Sequence, residues 1–526
     1  MMPLPGRRAP TGTAPTESTA PRGIPFEIAV LAAMGAVLRI YQYSWNRSLH
    51  LDETALALNL RELSFIEMLG PLRYGQFGPV GFLTIQNALA ATLGESEFVL
   101  RLPALLAGLV GLVLFVLLAR RVLPGHAAWL AVGLFAVSRH LVYWSADAKP
   151  YSIDVLGALV IAWLALDWIE GPDSRRALRL GVAGAVLCWF STTTPFVLVG
   201  TALAASLLRQ ARALIPAAVI WLAGLPSVLH SLLVVPAGDR AYFRADWGDG
   251  FLPLPWEGGA LAMYRDQILN SVYDPLGFGF PLGGYPALVA LAAGCVWVFR
   301  NRSREAFLLT MPALVVVLAS FAELYPLRQL WPYNGRVVLF LVPAAFLVLA
   351  GGIAWIRRPG IAVLAGALLI VAQVLPVGAL LPFTRGEPRR AFAFVAEHAR
   401  PGDVVYVYHG DLPALRYYRP AISGRIVEGI CAQDDWPRYI EDIERLRGAR
   451  RAWVVAANDF FGERKSFLHH MRLNAILLDS ARTRGSGAWL FDFSGREHVA
   501  VPSSSLIAAY PPVPGTACRG PFEAAR

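Results

Sequence analysis

Residues 48–58, SLHLDETALAL, place two adjacent carboxylates, Asp52 and Glu53, shortly after an apolar run. Two other segments set charge beside apolar runs. WSADAKPYSID, 144–154, carries Asp147 and Lys149, and WPYNGRVVLF, 331–340, carries Tyr333 and Arg336. A carboxylate within reach of a hydroxyl can take its proton. A guanidinium can grip a phosphate through two parallel hydrogen bonds, and fixed cations lower the barrier to a departing phosphate. Together these residue types suit transfer of a group off a phosphate. Each also has a plainer explanation. Acids in a first helical turn favour the helix dipole by about 0.3–1 kcal/mol. Asp147 and Lys149 could be a weak local pair, and Arg336 could snorkel to an interface. Asp154, about one helical turn into the following span, is the weaker acid candidate.

What must position these residues is a membrane bundle. The 526 residues are 56% hydrophobic and 16% charged, with a mean hydropathy of +0.49. A soluble chain would be roughly a quarter charged. Apolar runs near the length that spans a bilayer, about 20 residues, fall at 24–44, 100–119, 127–143, 152–169, 178–190, 195–208, 213–235, 283–299, 306–325, 337–356 and 360–382. The fold expected is mainly α, a polytopic membrane protein of about eleven spans. Segment 79–93 is short and holds Gln86 and Asn87, so it is expected to lie in the interface. Residues 1–23 read as a disordered tail, and the run from Ile24 lacks a small-residue cleavage site and reads as an anchor.

The arginines set the orientation. With the N-terminal tail inside and strict alternation, the inner segments hold Arg7, Arg8, Arg22, Arg120, Arg121, Arg175, Arg176, Arg179, Arg209, Arg212, Arg300, Arg302, Arg304, Arg357 and Arg358. The short outer loops hold only Arg139, Lys149, Arg328 and Arg336. The net charge of +10 is therefore mostly topology. It does not point to nucleic acid, since no basic and aromatic stripe accompanies it. Loops 45–99 and 236–282, and the chain after about 385, fall outside, so Asp52, Asp147 and Arg336 share one face. The second loop is aromatic-rich and contributes Tyr264, Arg265 and Asp266 as weaker candidates for a substrate loop; an aromatic belt would look similar.

Residues 384–526 change in composition. RGEPRRAFAFVAEHARPGDVVYVYHGDLPALRYYRP reads as helix, turn, strand and helix. RAWVVAAN and AWLFDFS read as strands, with a helix running towards a strand between them. A small α/β domain with an irregular tail is expected. Cys431 and Cys518 could pair if it lies outside the cytoplasm; Cys188 and Cys295 sit in apolar runs.

The ordered set of an Asp-Glu pair after the first span, an interfacial helix, LGESEFVLRLPALLAGLVGLVLFVLLARR and WSADAKPYSIDVLGAL resembles the GT-C glycosyltransferases. Within them it is similar to the bacterial protein O-mannosyltransferase branch that includes the lipid A aminoarabinose transferase. The resemblance spans 24–383 and is strongest over 48–165. It implies sugar transfer from a polyprenyl-phosphate donor at the extracytoplasmic face of a bacterial inner membrane, to a glycan, lipid or protein acceptor. It makes Asp52 the catalytic acid position, with Glu53 beside it and Asp147 as the second acid. Lys149, Arg336 and Tyr333 become the donor-phosphate group. GQFGPVGF departs from relatives that carry His or a charge before a Pro-Pro pair, which bears against the metal site of part of the family; a divalent ion remains an open cofactor. The rival readings are a lipid-linked glycan flippase, which would place charge near mid-membrane, and an inactive scaffold relative.

Overall fold

The computed structural model describes residues 23–236, 240, 248–327, 334–378, 381–431, 435–458, 463–483 and 485–495. Tyr333, Cys518, most of 237–247 and the two tails lie outside them. In chain order the first helices are α1 (Phe26–Ser44), α2 (Leu51–Glu62), α3 (Val80–Leu93), α4 (Glu97–Val122), α5 (Gly125–Val137), α6 (Arg139–Trp144) and α7 (Tyr151–Glu170). Then come α8 (Ser174–Leu187), α9 (Thr194–Leu207), α10 (Ala211–Trp221), α11 (Leu225–Leu233), α12 (Ala260–Tyr273), α13 (Gly284–Asn301), α14 (Ser303–Phe321), α15 (Val342–Ile353) and α16 (Pro359–Gly378). Each predicted apolar run is helical over most of its described length. Among the described residues, six helical stretches are long and apolar enough to cross a membrane: Phe26–Ser44, Glu97–Val122, Tyr151–Glu170, Ala211–Leu233, Ser303–Phe321 and Gly335–Ile353.

Three runs read as continuous are broken, each for a local reason. Run 127–143 divides at Ser138, which leaves helical geometry and accepts from Leu141 N at 3.5 Å to start α6. Run 213–235 divides around a 3-10 turn, Leu222–Gly224, ahead of a proline that restarts the helix. Run 337–356 opens as a 3-10 segment, Asn334–Leu341, before Pro343 begins α15. Close helix contact rests on small residues. A Cβ at Gly294 would meet Val348 O at 1.8 Å, and one at Gly352 would meet Ala290 O at 2.2 Å, so α13 and α15 pack backbone to backbone.

Side-chain contacts sort the helix ends. Arg120 Nη2 donates to Gly23 O at 2.9 Å, Arg121 pairs with Glu170 at 2.7 Å, and Gln210 Nε2 donates to Ile169 O at 3.4 Å. These put residues 23, 120, 170 and 210 at one end of the bundle. At the other end, Arg101 meets Glu53, Arg47 meets Asp147, and Ser191 Oγ donates to Asp154 at 2.5 Å. Since α4 and α7 both run towards the first end, α5 and α6 together must return between them; after α7, α8 returns to the second end and α9 runs back to the first. The helix α3 does not traverse. It begins where Gly81 N donates to Trp189 O at 2.7 Å and Gln86 Nε2 donates to Leu100 O at 2.8 Å, both at the second end.

After residue 384 come α17 (Pro388–His398), β1 (Val404–Val407), α18 (Leu412–Tyr418), β2 (Arg425–Glu428), α19 (Trp436–Glu444), β3 (Ala452–Ala456), α20 (Glu463–Asn474), β4 (Ile476–Thr483) and β5 (Ser486–Asp492). The sheet order is β2-β1-β3-β5-β4. β1 pairs in parallel with β2 and β3, and β5 pairs antiparallel with β3 and β4. The α/β domain is as expected, with β2 and α19 as additions; RIVE is too short and charged to read as a strand. Two apolar layers flank the sheet, one around Tyr406, Trp489 and Phe491, the other around Phe392, Val405 and Trp453. Cys431 is disulfide-bonded, while Cys188 and Cys295 are free.

Candidate active site

The acid pair opens α2. Glu53, three residues past the N-cap His50, accepts from His50 N at 3.0 Å, the backbone half of a capping box. Successive helical residues project about 100° apart, so the two acids meet different surroundings. Glu53 is 1% exposed. Its Oε1 accepts from Arg101 Nε at 2.8 Å and Ala148 N at 2.9 Å; its Oε2 accepts from Arg47 Nη1 at 2.6 Å and Arg101 Nη2 at 2.9 Å. Burial works against this carboxylate, and the Arg101 and Arg47 guanidinium groups hold it far below the usual range.

Asp52 instead keeps a side chain 34% exposed, with Arg336 Nη2 3.5 Å from its Oδ2 and Arg336 itself 17% exposed. Burial pushes its carboxyl up, but Arg336, Lys149, His50 and Arg385 together hold it down at about 2. Lys149 Nζ donates to Gln76 Oε1. Burial lowers the ammonium below its usual range, against the pull of Asp52 and Asp147. The Arg336 guanidinium lies 5.9 Å from the Trp144 ring and 6.0 Å from the Tyr151 ring, and that of Arg385 lies 4.7 Å from Trp144.

Asp147 lies behind this surface. Its Oδ2 accepts from Arg47 Nη2 at 2.6 Å and its Oδ1 is buried without a hydrogen-bond partner. Burial and the nearby Glu53 raise its carboxyl to about 6, although Arg47 and Arg385 oppose them. Arg47 thus joins both buried acids, and Arg101 Nη1 returns to Arg47 O at 2.7 Å.

The C-terminal domain completes the site from above. Ser48 N and Oγ donate to Glu387 Oε2 at 3.2 and 2.7 Å, and Leu49 N donates to Tyr418 OH at 2.8 Å. Arg389 pairs with Glu97 at 2.6 Å and donates to Asn46 O at 2.5 Å. The segment that carries Asp52 is therefore held from both domains.

Of the predicted residues, Asp52, Glu53, Asp147, Lys149 and Arg336 gather here. Tyr333 lies outside the described residues. Arg265 and Asp266 pair with each other at 2.8 Å on an exposed face of α12, and Tyr264 OH donates to Pro253 O at 2.5 Å. No described contact joins these three to Asp52. Asp154 bonds Ser191 inside α7, apart from the cluster. Sequence reasoning missed Arg47, Arg101, Arg385, Trp144 and Tyr151. A charge-depleted chain that carries Arg101 in an early turn of α4 and opens its C-terminal part with TRGEPRR offered a signal for two of them. The groups around Asp52 are cationic, and among the described residues no cluster of three or more His, Cys, Asp or Glu could hold a metal. The residues present do not fit a divalent ion.

Residues 78–236 match the family model described as dolichyl-phosphate-mannose-protein mannosyltransferase. No curated protein matches the chain. Among solved structures, that of ArnT from Cupriavidus metallidurans in the apo state aligns at TM-score 0.50 and 13% identity, covering 89% of this chain and 99% of the other. ArnT from the same organism bound to undecaprenyl phosphate aligns at TM-score 0.47 and 12% identity, covering 88% and 97%. The Archaeoglobus fulgidus oligosaccharyltransferase in complex with Zn and sulfate aligns at TM-score 0.44 and 12% identity, covering 82% and 68%. The chain thus shares the fold of the ArnT structure, and within it residues 78–236 match the mannosyltransferase family model.

Proposed function

We propose that the chain transfers a hexosyl or pentosyl unit from a polyprenyl-phosphate donor to a hydroxyl of a glycan, lipid or protein acceptor, with inversion and with Asp52 as general base. The observation that carries this reading is the split between the two acids. Glu53 is buried with every oxygen engaged, while Asp52 stays open beside two cations. A phosphate seated between Arg336 and Lys149 would take over the charges that now depress Asp52. The carboxylate then becomes a stronger base when the donor is bound. The acceptor oxygen attacks the anomeric carbon, its proton passes to Asp52, and the bond to the phosphate oxygen breaks with its electron pair on the polyprenyl phosphate. Arg336 and Lys149 stabilise that charge. One carboxylate suffices, because no covalent intermediate forms.

The matched family is named for a dolichyl-phosphate sugar, which supports this donor class. The distribution of arginines supports a site on the extracytoplasmic face of a bacterial inner membrane, among the membrane lipids that carry the donor. The test uses purified protein in nanodiscs with a panel of radiolabelled polyprenyl-phosphate sugars. Wild type is expected to consume one donor. Asp52→Asn should bind it and turn over about 10²–10⁴-fold more slowly. Equal turnover by the variant, or no donor bound by wild type, overturns the reading.

A further inference from the structure

The C-terminal domain holds a second cavity, of about 370 Å³, away from Asp52. Four cations line it: Arg464, Lys465 and Arg472 from α20, and Arg482 from β4. His469 joins them, and no acid is among the lining residues. The helical spacing explains the convergence, since 464, 468 and 472, and 465 and 469, recur one turn apart on one face. Leu468 and Trp489, both buried, form part of the wall, and the indole Nε1 of Trp489 has no hydrogen-bond partner.

Elsewhere in the domain several arginines are ion-paired. Arg445 pairs with Asp442, Arg447 with Glu444, Arg451 with Asp403 and Arg389 with Glu97. Among the described residues, the side chains of Lys465, His469 and Arg482 make no hydrogen bond or ion pair, yet they face one cavity. Like charges gathered in a concavity focus a positive potential that only an anion relieves. The cavity has the size of a small-molecule site. It is also tied to the catalytic loop. Its lining residue Ser486 accepts from Glu387 N, and the Glu387 carboxylate accepts from Ser48 four residues before Asp52.

We propose that this cavity binds a phosphoryl group, carried by a sugar of the acceptor or by a lipid headgroup, and so holds an anionic partner close to the transfer site. The link to the acceptor rests on the transferase reading above; the binding itself does not, and it is read without turnover. Full-length protein in phosphatidylcholine nanodiscs is titrated calorimetrically with glucose 1-phosphate, glycerol 3-phosphate and glucose. The phosphates should bind, more weakly at high salt, and glucose should not. Lys465→Gln/Arg482→Gln, with both side chains exposed and so an unchanged melting temperature, should weaken phosphate binding at least tenfold. Arg336→Gln should leave it intact, which separates this cavity from the donor-phosphate group. Tighter binding of glucose 1-phosphate assigns the group to a glycan, and equal binding to a lipid headgroup. No phosphate binding, unchanged binding by the double variant, or loss with Arg336→Gln overturns the proposal.

Discussion

Asp52 and Glu53 are neighbours in sequence with opposite circumstances, and this separates their variants. Removing one partner of a buried, paired charge costs about 3–5 kcal/mol, because the other charges stay buried without compensation. Glu53→Ala strands Arg47 and Arg101 and should lower unfolding stability by about that amount, measured by denaturant titration in detergent. Asp52→Asn should leave stability nearly unchanged and remove turnover. Equal stability losses would sink this division. Asp147 gives a pH signature. Its carboxyl is raised to about 6 in the folded chain, from an ordinary 3.8. Between those values the folded state holds a proton that the unfolded state has lost, so this group favours folding at low pH and ceases to do so as pH rises through 6. Relative to Asp147→Asn, the wild-type melting temperature should therefore rise between pH 7.5 and 5.5; parallel curves would refute the assignment. Sequence reasoning reached Asp52, Asp147, Lys149 and Arg336 because ionisable residues stand out in an apolar chain. Only the family resemblance set Asp52 apart from Glu53; the residues alone did not, since their surroundings depend on Arg47 and Arg101, whose partners are 6 and 48 residues away.

At the scale of elements, the start of α2 is fixed as much by α17 and α18 as by its own residues. Glu387 and Tyr418 supply the partners of Ser48 and Leu49, and Arg61 of α2 donates to Tyr417 O at 2.9 Å. The C-terminal domain is thus more than a cover: it holds the start of the helix that carries Asp52, the proposed base. Small displacements at a reacting centre can cost about 10²-fold in rate. Glu387→Ala, which also leaves the Ser48 N–H and hydroxyl without their acceptor, should lower kcat by up to about that factor with donor affinity little changed. Tyr418→Phe should do less, since one hydrogen bond contributes about 0.5–1.5 kcal/mol. Steady-state kinetics alongside donor binding checks both, and a loss of binding with intact kcat would argue against a positioning role. The helices themselves were legible from apolar run length. Their breaks at Ser138, Gly224 and Pro343 were not, because a proline or a capping serine inside an apolar run can be either tolerated or used to start a new helix.

For the whole molecule, contacts between distant parts of the chain constrain how often it crosses the membrane. The helix α1 separates residue 23 from loop 45–99. The C-terminal domain grips that loop through Ser48, Leu49 and Glu97, and Gln42 at the end of α1 brackets Phe383, donating to its O at 2.8 Å and accepting from its N at 2.9 Å. An even number of crossings must therefore lie between residue 50 and residue 383. Among the described residues, the long apolar stretches after α1 number five, which is odd, so they alone cannot return the chain to the correct side. The shorter helices must contribute, and the end contacts at Glu170, Ser191 and Gln210 show α8 and α9 running from end to end of the bundle. We propose eleven crossings in all, a count that would satisfy both conditions and give the arginines one common side. The two counts predict different labelling. With eleven, cysteines placed at Arg121, Arg175 and Arg357 in a Cys188→Ala/Cys295→Ala background all react from the side of the N-terminal tail, and cysteines at Arg265 and Glu397 from the other. With six, Arg175 and Arg121 separate and Glu397 joins the N-terminal side. Impermeant maleimide labelling of intact cells and inverted vesicles decides between them, and labelling of Glu397→Cys from the N-terminal side would also remove the proposed site from the extracytoplasmic face.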